Sequence, residues 1–337
     1  MVEQFDDVIL GGGKGGKSLA MALAKAGHSV ALIEKGQIGG TCINVACIPT
    51  KTMVASAKLI ELAGRADDYG VALTPPAAAL AGVIARKRRV VAAMVDTHWT
   101  LFTTTPNMTF LLGEGVFVGE RTIEVTGQDG SARVVRGTRV YINTGSHTTV
   151  PPIPGLDTVD YLTSTSVMEL DELPNRLAII GGGYIALEFA QIFRRLGSEV
   201  VVVQRGDRFL PNEDPDIAGE IRNVLVHDGI EFLDNAETDA VQPGPHGIEV
   251  LYSRGGEQES LHCSHLMVAV GRTPNTTGLG LDAAGVQLNP RAAITVNDRL
   301  ETTAQGVYAI GDCNGGPLFT HASWDDYRIL LANVLHD

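Results

Sequence analysis

The stretch "DDVILGGGKGGKSLAMALAKAGHSVALIEK", residues 6–35, decides the fold, because apolar runs flank a turn rich in glycine. Its pattern predicts a strand over residues 7–10 and a helix over about 14–26, which Gly27 stops. A second strand is predicted over residues 29–34. A strand, a helix and a second strand in this order form the building block of a parallel sheet.

Three glycines in the turn, Gly11, Gly13 and Gly16, have the spacing G-x-G-x-x-G. In dinucleotide-binding folds the first makes the turn, the second lets a pyrophosphate approach the backbone, and the third lets helix and strand pack closely. The phosphates would lie at the helix N-terminus, where backbone N–H groups lack intrahelical partners. Glu34 ends the second strand 23 residues after Gly11, where a carboxylate can bind ribose hydroxyls.

The same pattern returns in residues 176–208, "RLAIIGGGYIALEFAQIFRRLGSEVVVVQRGDR". Gly181 and Gly183 take the first two glycine positions, and Ala186 takes the third. Either turn alone could be a tight connection without a ligand. Two complete units favour two dinucleotides, the arrangement needed to pass a hydride from one to the other. We therefore expect an α/β fold with two Rossmann-like dinucleotide-binding domains.

The two units differ at the end of the second strand. The residue 23 positions after Gly181 is Gln204, and Arg205 and Arg208 follow it. A carboxylate there would repel a 2′-phosphate, so an amide beside two arginines favours NADPH over NADH. The alternative is that both arginines are simply solvated.

Length and charge limit the classes of function. With 337 residues the chain exceeds one ordinary domain, and a formal net charge of −13 disfavours nucleic acid and anionic membranes as partners. The sequence has neither a run of about 18–20 apolar residues nor a basic leader, so we expect a cytoplasmic protein. There, four cysteines predict a redox-active or metal-binding pair and no structural disulfide framework.

One basic run, "RKRR" at residues 86–89, could be mistaken for a binding patch. It lies within a predicted helix over about residues 77–102. We interpret the run as the solvent face of that helix.

The stretch "GGTCINVACIPTK", residues 39–51, contains Cys42 and Cys47. Residues five apart in a helix are separated by about 7.5 Å along its axis, which exceeds the usual Cα separation in a disulfide. A disulfide would therefore require a bend between them. Pro49 suits the first turn of a helix towards Leu62, and the positive end of that helix would favour a thiolate at Cys47. Two small, reduced core residues are the alternative.

Several motifs in this order resemble the class I pyridine nucleotide–disulfide oxidoreductases. They are the stretch around the cysteines, "YINTGS" (141–146), "GGGYIALEFA" (181–190), "GRTPNT" (271–276) and "TTAQGVYAIGDC" (302–313). The resemblance extends over all 337 residues. "CIPTK" and "FTHASWDDYRIL" (319–330) are most similar to the reactive-chlorine-resistance, hypothiocyanous acid and mercuric reductase-like subgroup.

The resemblance implies an FAD domain in two pieces, residues 1–150 and 271–337, with an NADPH domain, residues 151–270, inserted between them. "PPIPG" (151–155) fits the first crossing, because prolines and glycines punctuate structure, and "GRTPN" fits the second.

The resemblance also implies roles for four side chains. Cys42 would be the interchange thiol exposed to substrate, and Cys47 the charge-transfer thiol beside the flavin. Lys51 would pair with Glu188 near the flavin. Tyr184, which is one helical turn before Glu188, would move aside to admit nicotinamide.

The remaining binding residues follow from the same resemblance. The expected FAD ligands are Gly11, Gly13, Gly16, Glu34, Lys35, Gly40, Thr41, Lys51, Thr144, Gly145, Gly311 and Asp312. The expected NADPH ligands are Gly181, Gly183, Tyr184, Ile185, Gln204, Arg205, Arg208 and Gly271. No metal ligands are expected.

The resulting hypothesis is an FAD-dependent reductase that passes electrons from NADPH through a Cys42–Cys47 disulfide to a small oxidant, a disulfide or a metal ion. The alternatives are an NADPH oxidase that reduces oxygen, and a flavin- and nucleotide-binding redox sensor. Family members form homodimers through about a hundred further residues, which also supply a His–Glu acid–base pair. We expect that domain to be absent here, in a short form or a piece of a longer chain.

Overall fold

The computed structural model describes residues 1–74, 79–245 and 247–336. The chain divides into two compact units. Unit 1 comprises Met1–Asn44, Val91–His147 and Thr273–Asp337, and unit 2 comprises Val45–Val90 and Thr148–Arg272. The predicted insertion, residues 151–270, falls in unit 2, which also includes residues 45–90.

The helices and strands are numbered in chain order. The helices are α1 Lys14–Lys25, α2 Thr41–Asn44, α3 Cys47–Gly64, α4 Leu80–Thr104, α5 Tyr184–Leu196, α6 Pro215–His227, α7 Leu281–Ala284 and α8 Thr320–His336. The strands are β1 Val2–Leu10, β2 Val30–Glu34, β3 Met108–Gly119, β4 Thr122–Gly127, β5 Ala132–Ile142, β6 Ser146–Thr148, β7 Tyr161–Leu162, β8 Arg176–Ile180, β9 Glu199–Val203, β10 Glu231–Leu233, β11 Ala236–Gly244, β12 Gly247–Arg254, β13 Glu257–Cys263, β14 His265–Val268, β15 Arg272–Pro274 and β16 Val307–Ala309.

Unit 1 is built on a parallel sheet in the order β3–β2–β1–β5–β16. The antiparallel strand β4 joins the long strands β3 and β5. Every residue of β2 is buried, as expected for a strand covered on both faces. The carboxyl ends of β1 and β2 therefore lie next to each other, with Gly11 and Glu34 at that edge.

Unit 2 repeats this plan with the parallel order β10–β9–β8–β14–β7. An antiparallel sheet, β11–β12–β13, adds a second layer of strands. The apolar face of α5 is buried in the core of this unit, where Phe189 and Phe193 are among the largest fully buried side chains. The expectation of an α/β fold with two Rossmann-type units is confirmed.

The basic run at residues 86–89 is not wholly on the solvent face of its helix. α4 begins at Leu80 among the described residues, and the predicted start at residue 77 lies outside them. Lys87 is buried, donates to the Met168 carbonyl at 2.9 Å and forms an ion pair with Glu169. The prediction was wrong for Lys87, because this position faces the core of unit 2 and its charge finds partners there.

Candidate active site

The first glycine turn has no room for side chains. Gly11 has φ +110°, and a Cβ there would overlap the carbonyl of Asn143. A Cβ on Gly16 would overlap the Gly11 carbonyl oxygen, and one on Gly40 would lie 2.6 Å from the Cα of Gly13. These positions require glycine because neighbouring backbone approaches closely, and the bare backbone N–H groups at the start of α1 fit a pyrophosphate.

Glu34 is held in place by backbone donors at the end of β2. Its Oε2 accepts the Gly12 N–H at 2.9 Å, and its Oε1 accepts those of Gly36 at 3.0 Å and Gln37 at 3.1 Å. The next residue, Lys35, is exposed and lies 3.8 Å from the Glu114 carboxylate. A buried, oriented carboxylate beside a glycine turn suits ribose hydroxyls, which donate hydrogen bonds.

Asn143, directly after β5, connects the glycine turn to the later motifs of unit 1. Its side-chain amide donates to the Gly11 carbonyl at 3.2 Å. A Cβ on Gly13 would lie 2.8 Å from its Nδ2, and one on Gly311 would lie 3.4 Å from its Oδ1. Sequence reasoning missed Asn143, although its position at the carboxyl end of a parallel strand was a usable signal.

Further FAD positions predicted in unit 1 are at the ends of strands, in turns and at the start of a helix. Thr144 donates its hydroxyl to the Asn275 carbonyl at 2.7 Å, and Gly145 turns with φ +71°. The Ser146 hydroxyl donates to the Asp312 carboxylate, which is thereby oriented. Thr41 begins α2 one residue after Gly40. These residues supply backbone N–H groups, hydroxyls and a carboxylate, a donor and acceptor set that fits a dinucleotide.

The two cysteines of the motif lie on either side of a helix break. Cys42 is in α2 of unit 1, and Cys47 is the first residue of α3 in unit 2. Ala46, between the helices, has φ −139° and ψ −104°, so the predicted bend is confirmed. Both cysteines are half-buried. Cys47 lies at the positive end of the α3 helix dipole, because it begins that helix.

The other two cysteines are in different surroundings. Cys263 and Cys313 are buried, and burial raises the pKa of each thiol to about 11. They are thiols at neutral pH, and water-borne substrates cannot reach them. The reactive sulfur chemistry is therefore expected at Cys42 and Cys47.

In unit 2, α3 and α5 are joined by the ion pair that the resemblance implies. The Lys51 ammonium donates to Glu188, which is 137 positions away in the chain. Tyr184 begins α5 and is exposed, and its hydroxyl donates to Glu213. That hydrogen bond and the negative charge of Glu213 raise the pKa of Tyr184. Ile185 follows it and is half-buried.

The second glycine turn is more open than the first. Gly181 has φ +111°, and a Cβ there would overlap the Ala269 carbonyl, whereas a Cβ on Gly183 would meet no atom within 4 Å. Gln204 is buried beside Gly182 and donates to the Gly206 carbonyl at 3.4 Å. This turn offers bare backbone N–H groups with an amide in place of a carboxylate, which fits a phosphorylated nicotinamide dinucleotide.

The remaining predicted NADPH residues are on the surface of unit 2. Arg205 and Arg208 are exposed, close after β9. Gly271 is also exposed, and its carbonyl accepts the Thr149 N–H at 3.0 Å. Both guanidinium groups are therefore accessible from solvent, where a 2′-phosphate could reach them.

Two negative findings apply to the part of the chain that the structure describes. No group of three or more His, Cys, Asp or Glu side chains there could hold a metal ion. None of its helices has the length and apolar content that a membrane crossing needs.

Two glycine turns that fit dinucleotides, and two half-buried cysteines on either side of a helix break, are features of flavin- and nicotinamide-dependent oxidoreductases. The family model "Pyridine nucleotide-disulphide oxidoreductase" matches residues 5–326. The chain belongs to this family of oxidoreductases, whose members use FAD and NAD(P)H.

Individual relatives agree with this assignment. The "Probable pyridine nucleotide-disulfide oxidoreductase RclA" of Escherichia coli is 38% identical over 337 residues, which is 99% of this chain and 71% of the relative. A "Mercuric reductase" of Bacillus cereus is 36% identical over 331 residues, 98% of this chain and 52% of that protein. The chain thus spans only part of the length of each.

Solved structures give the same result. The "Cu(II) complex of HOCl-induced flavoprotein disulfide reductase RclA from Escherichia coli" matches with a TM-score of 0.87 at 36% identity. The match covers 99% of this chain and 71% of that chain. The resemblance to the reactive-chlorine-resistance and mercuric reductase-like subgroup is confirmed at the level of sequence and fold.

Proposed function

We propose that the chain is an FAD-dependent NADPH reductase that transfers two electrons through a Cys42–Cys47 disulfide to a small oxidant, a disulfide or a metal ion. The observation that carries this proposal is the helix break at Ala46, with Cys47 opening α3 and Cys42 in the short helix before it. A continuous helix would keep the two sulfurs too far apart for a disulfide. The family match supports the same chemistry.

The residues around the first glycine turn would hold FAD. The start of α1 would bind the pyrophosphate, Glu34 a ribose, and Asp312, oriented by Ser146, the ribityl chain. When bound, FAD supplies the redox chemistry that links a hydride donor, the nicotinamide, to an electron acceptor, the disulfide. The Lys51–Glu188 pair would set the charge beside its ring.

The nicotinamide dinucleotide would bind at the second glycine turn, with NADPH preferred. The buried amide of Gln204 carries no charge to repel a 2′-phosphate, and Arg205 and Arg208 follow within four residues. Tyr184, at the start of α5, would move to admit the nicotinamide ring.

The proposed substrate class follows from the thiol chemistry. A half-exposed thiolate attacks sulfur and binds soft metal ions. The relatives carry the names of a mercuric reductase and of a disulfide reductase in complex with Cu(II). A homodimer and a cytoplasmic location remain predictions.

The proposal is tested by Cys42→Ser. We expect oxidant-dependent NADPH consumption to fall below about 1% of the parent rate, because the nucleophile that meets the substrate is gone. Reduction of the bound flavin by one equivalent of NADPH should persist. Stopped-flow absorbance with several disulfides, hypohalous acids and Cu(II) measures both steps.

The matched control is Cys263→Ala, which removes a buried thiol in β13 and should leave turnover within about twofold. Anaerobic titration of the parent enzyme should consume four electrons per FAD, two for the flavin and two for the disulfide. Uptake of only two electrons, or full turnover by Cys42→Ser, would overturn the proposal in favour of an NADPH oxidase.

A further inference from the structure

The ammonium group of Lys17 is buried against the loop that precedes Cys42. Lys17, on α1, is 5% exposed. Its Nζ lies 2.7 Å from His98 Nε2 and 3.4 Å from the Gly39 carbonyl oxygen. Among the residues that the structure describes, no carboxylate forms an ion pair with it, so Lys17 is a buried cation without an anionic partner of the usual kind.

His98 holds the ammonium in one orientation. Its Nδ1 lies 2.7 Å from the Met94 carbonyl oxygen, which can only accept, so Nδ1 carries the proton. Nε2 is then the acceptor and Lys17 the donor. Burial lowers the pKa of His98, and the positive charges of Lys17 and Lys14 lower it further, which keeps the ring neutral and able to accept.

The loop above this pair is fixed by several contacts. Gly39 and Gly40 turn with φ +86° and +80°, and the Asn44 side chain donates to the carbonyls of Ile38 at 3.0 Å and Gly40 at 2.9 Å. A Cβ on Gly39 would lie 3.4 Å from the His98 ring. The Lys17–His98 pair therefore packs against a rigid turn three residues before Cys42.

The turn that Lys17 contacts leads into Cys42, and the two side chains interact through their charges. Burial lowers the pKa of Lys17 to about 8, the charge of Lys14 lowers it too, and the Cys42 sulfur is the group that raises it. Cys42 follows Gly39, whose carbonyl oxygen the ammonium contacts, by three residues. Electrostatic coupling is reciprocal, so the ammonium favours the thiolate of Cys42.

We propose that Lys17, held by His98, is a positioning residue that keeps the interchange sulfur of the reduced enzyme as a thiolate. The inference rests on the proposed function. When the Cys42–Cys47 disulfide takes up two electrons, its S–S bond breaks and two sulfur anions form. The proton that each sulfur then binds from solvent depends on the charge beside it, and a buried ammonium reduces that binding at Cys42.

Lys87 shows what a purely structural buried lysine looks like in the same chain. It is equally buried, but it pairs with the Glu169 carboxylate and donates to a carbonyl. Its charge is thus neutralised within unit 2. Lys17 lacks such a carboxylate among the described residues, and a buried ammonium is stabilised when an anion forms next to it.

The test measures ionisation of Cys42 directly. In a flavin-loaded, chemically reduced Cys47→Ser background, the rate of alkylation by iodoacetamide is followed from pH 5.5 to 9.5, with mass spectrometry to assign the site. The buried thiols of Cys263 and Cys313 do not compete. We expect Lys17→Met to move the midpoint up by about one pH unit and to slow alkylation about tenfold at pH 6.5. Lys17→Arg should restore most of the rate.

The matched control is Lys87→Met, which removes an equally buried ammonium and should leave the midpoint unchanged. An unchanged midpoint in flavin-loaded Lys17→Met would overturn the inference. If that variant does not bind flavin, His98→Leu decides, because loss of the acceptor should move the midpoint upward by a smaller amount. No shift there also overturns it. Alkylation needs no turnover, so a shifted midpoint together with full activity of Cys42→Ser would contradict the proposed function alone.

Discussion

The two glycine turns have almost the same sequence, yet the structure builds them differently. In unit 1, Gly16 packs directly on the Gly11 carbonyl, and Glu34 accepts three backbone N–H groups. In unit 2, the corresponding positions are Ala186, fully buried in the core, and Gln204. The first turn is closed by contacts with Asn143, while a Cβ on Gly183 would meet no atom within 4 Å.

The comparison separates what a dinucleotide turn needs from what its particular ligand needs. Both turns keep a first glycine with φ above +100° beside a carbonyl of the neighbouring segment. The third glycine position and the residue at the end of the second strand differ between the two turns. The distance between helix and strand, and the charge of that residue, can change without loss of the fold. Three predictions test this difference.

The largest effect is expected at the third glycine position. Gly16→Ala should destabilise unit 1 by about 3 kcal/mol, because the added methyl overlaps a backbone carbonyl that cannot move as a side chain can. The reciprocal change Ala186→Gly should cost about 1.5 kcal/mol, from helix propensity and one lost buried methyl group. Denaturant midpoints of the flavin-loaded proteins measure both. Equal shifts would show that the two helices pack on their strands alike.

A smaller free-energy change is expected for the preference between NADPH and NADH when Gln204 is replaced. Gln204→Glu places the carboxylate of the first turn into the second, and repulsion of a 2′-phosphate should lower the ratio of kcat/KM for NADPH over NADH about tenfold, or about 1.4 kcal/mol. Steady-state kinetics with both cofactors give the ratio. Arg208→Ala is the companion variant, and it should weaken NADPH use without improving NADH use. If the ratio of kcat/KM for NADPH over NADH is unchanged in both variants, the arginines are solvated and do not bind the 2′-phosphate.

The smallest effect on stability is expected at the second glycine. Gly183→Ala should change the unfolding free energy by less than about 0.5 kcal/mol, because its φ is −83° and the space is open. Gly13→Ala, at the same place in unit 1, meets the Asn143 amide and should cost more. Thermal unfolding compares them. A large loss for Gly183→Ala would mean that this turn is as tightly packed as the first.

Much of the fold was accessible from local sequence. Helix α1 was predicted over about residues 14–26 and is Lys14–Lys25. The bend between the cysteines followed from their spacing, and the structure places it at Ala46. The error at Lys87 arose because a charged residue in a helix was assumed to face water. Whether a lysine is buried depends on partners such as Glu169, 82 positions away.

Local sequence was also only partly sufficient to predict the candidate site. The glycines and Glu34 could be named because their roles depend on spacing within one strand–helix–strand unit. Asn143 was missed although it directly follows a parallel strand, and Lys17 could not be named, because a side-chain ammonium acquires its role from distant segments. The sequence contains only a weak signal for Lys17. In the structure, Gly16, Ser18 and Leu19 around it are also buried, as in a helix that is covered on most sides.

The sequence by itself determined that this protein has two dinucleotide-type units and a cysteine pair at a helix break. Those features depend on the backbone freedom of glycine and on the periodicity of apolar residues, which act over a few residues. Only the tertiary structure decided that His98, 81 positions from Lys17, holds a buried ammonium under the Cys42 loop. The physical reason is that burial and charge partners belong to the folded chain as a whole, so no short stretch can specify them.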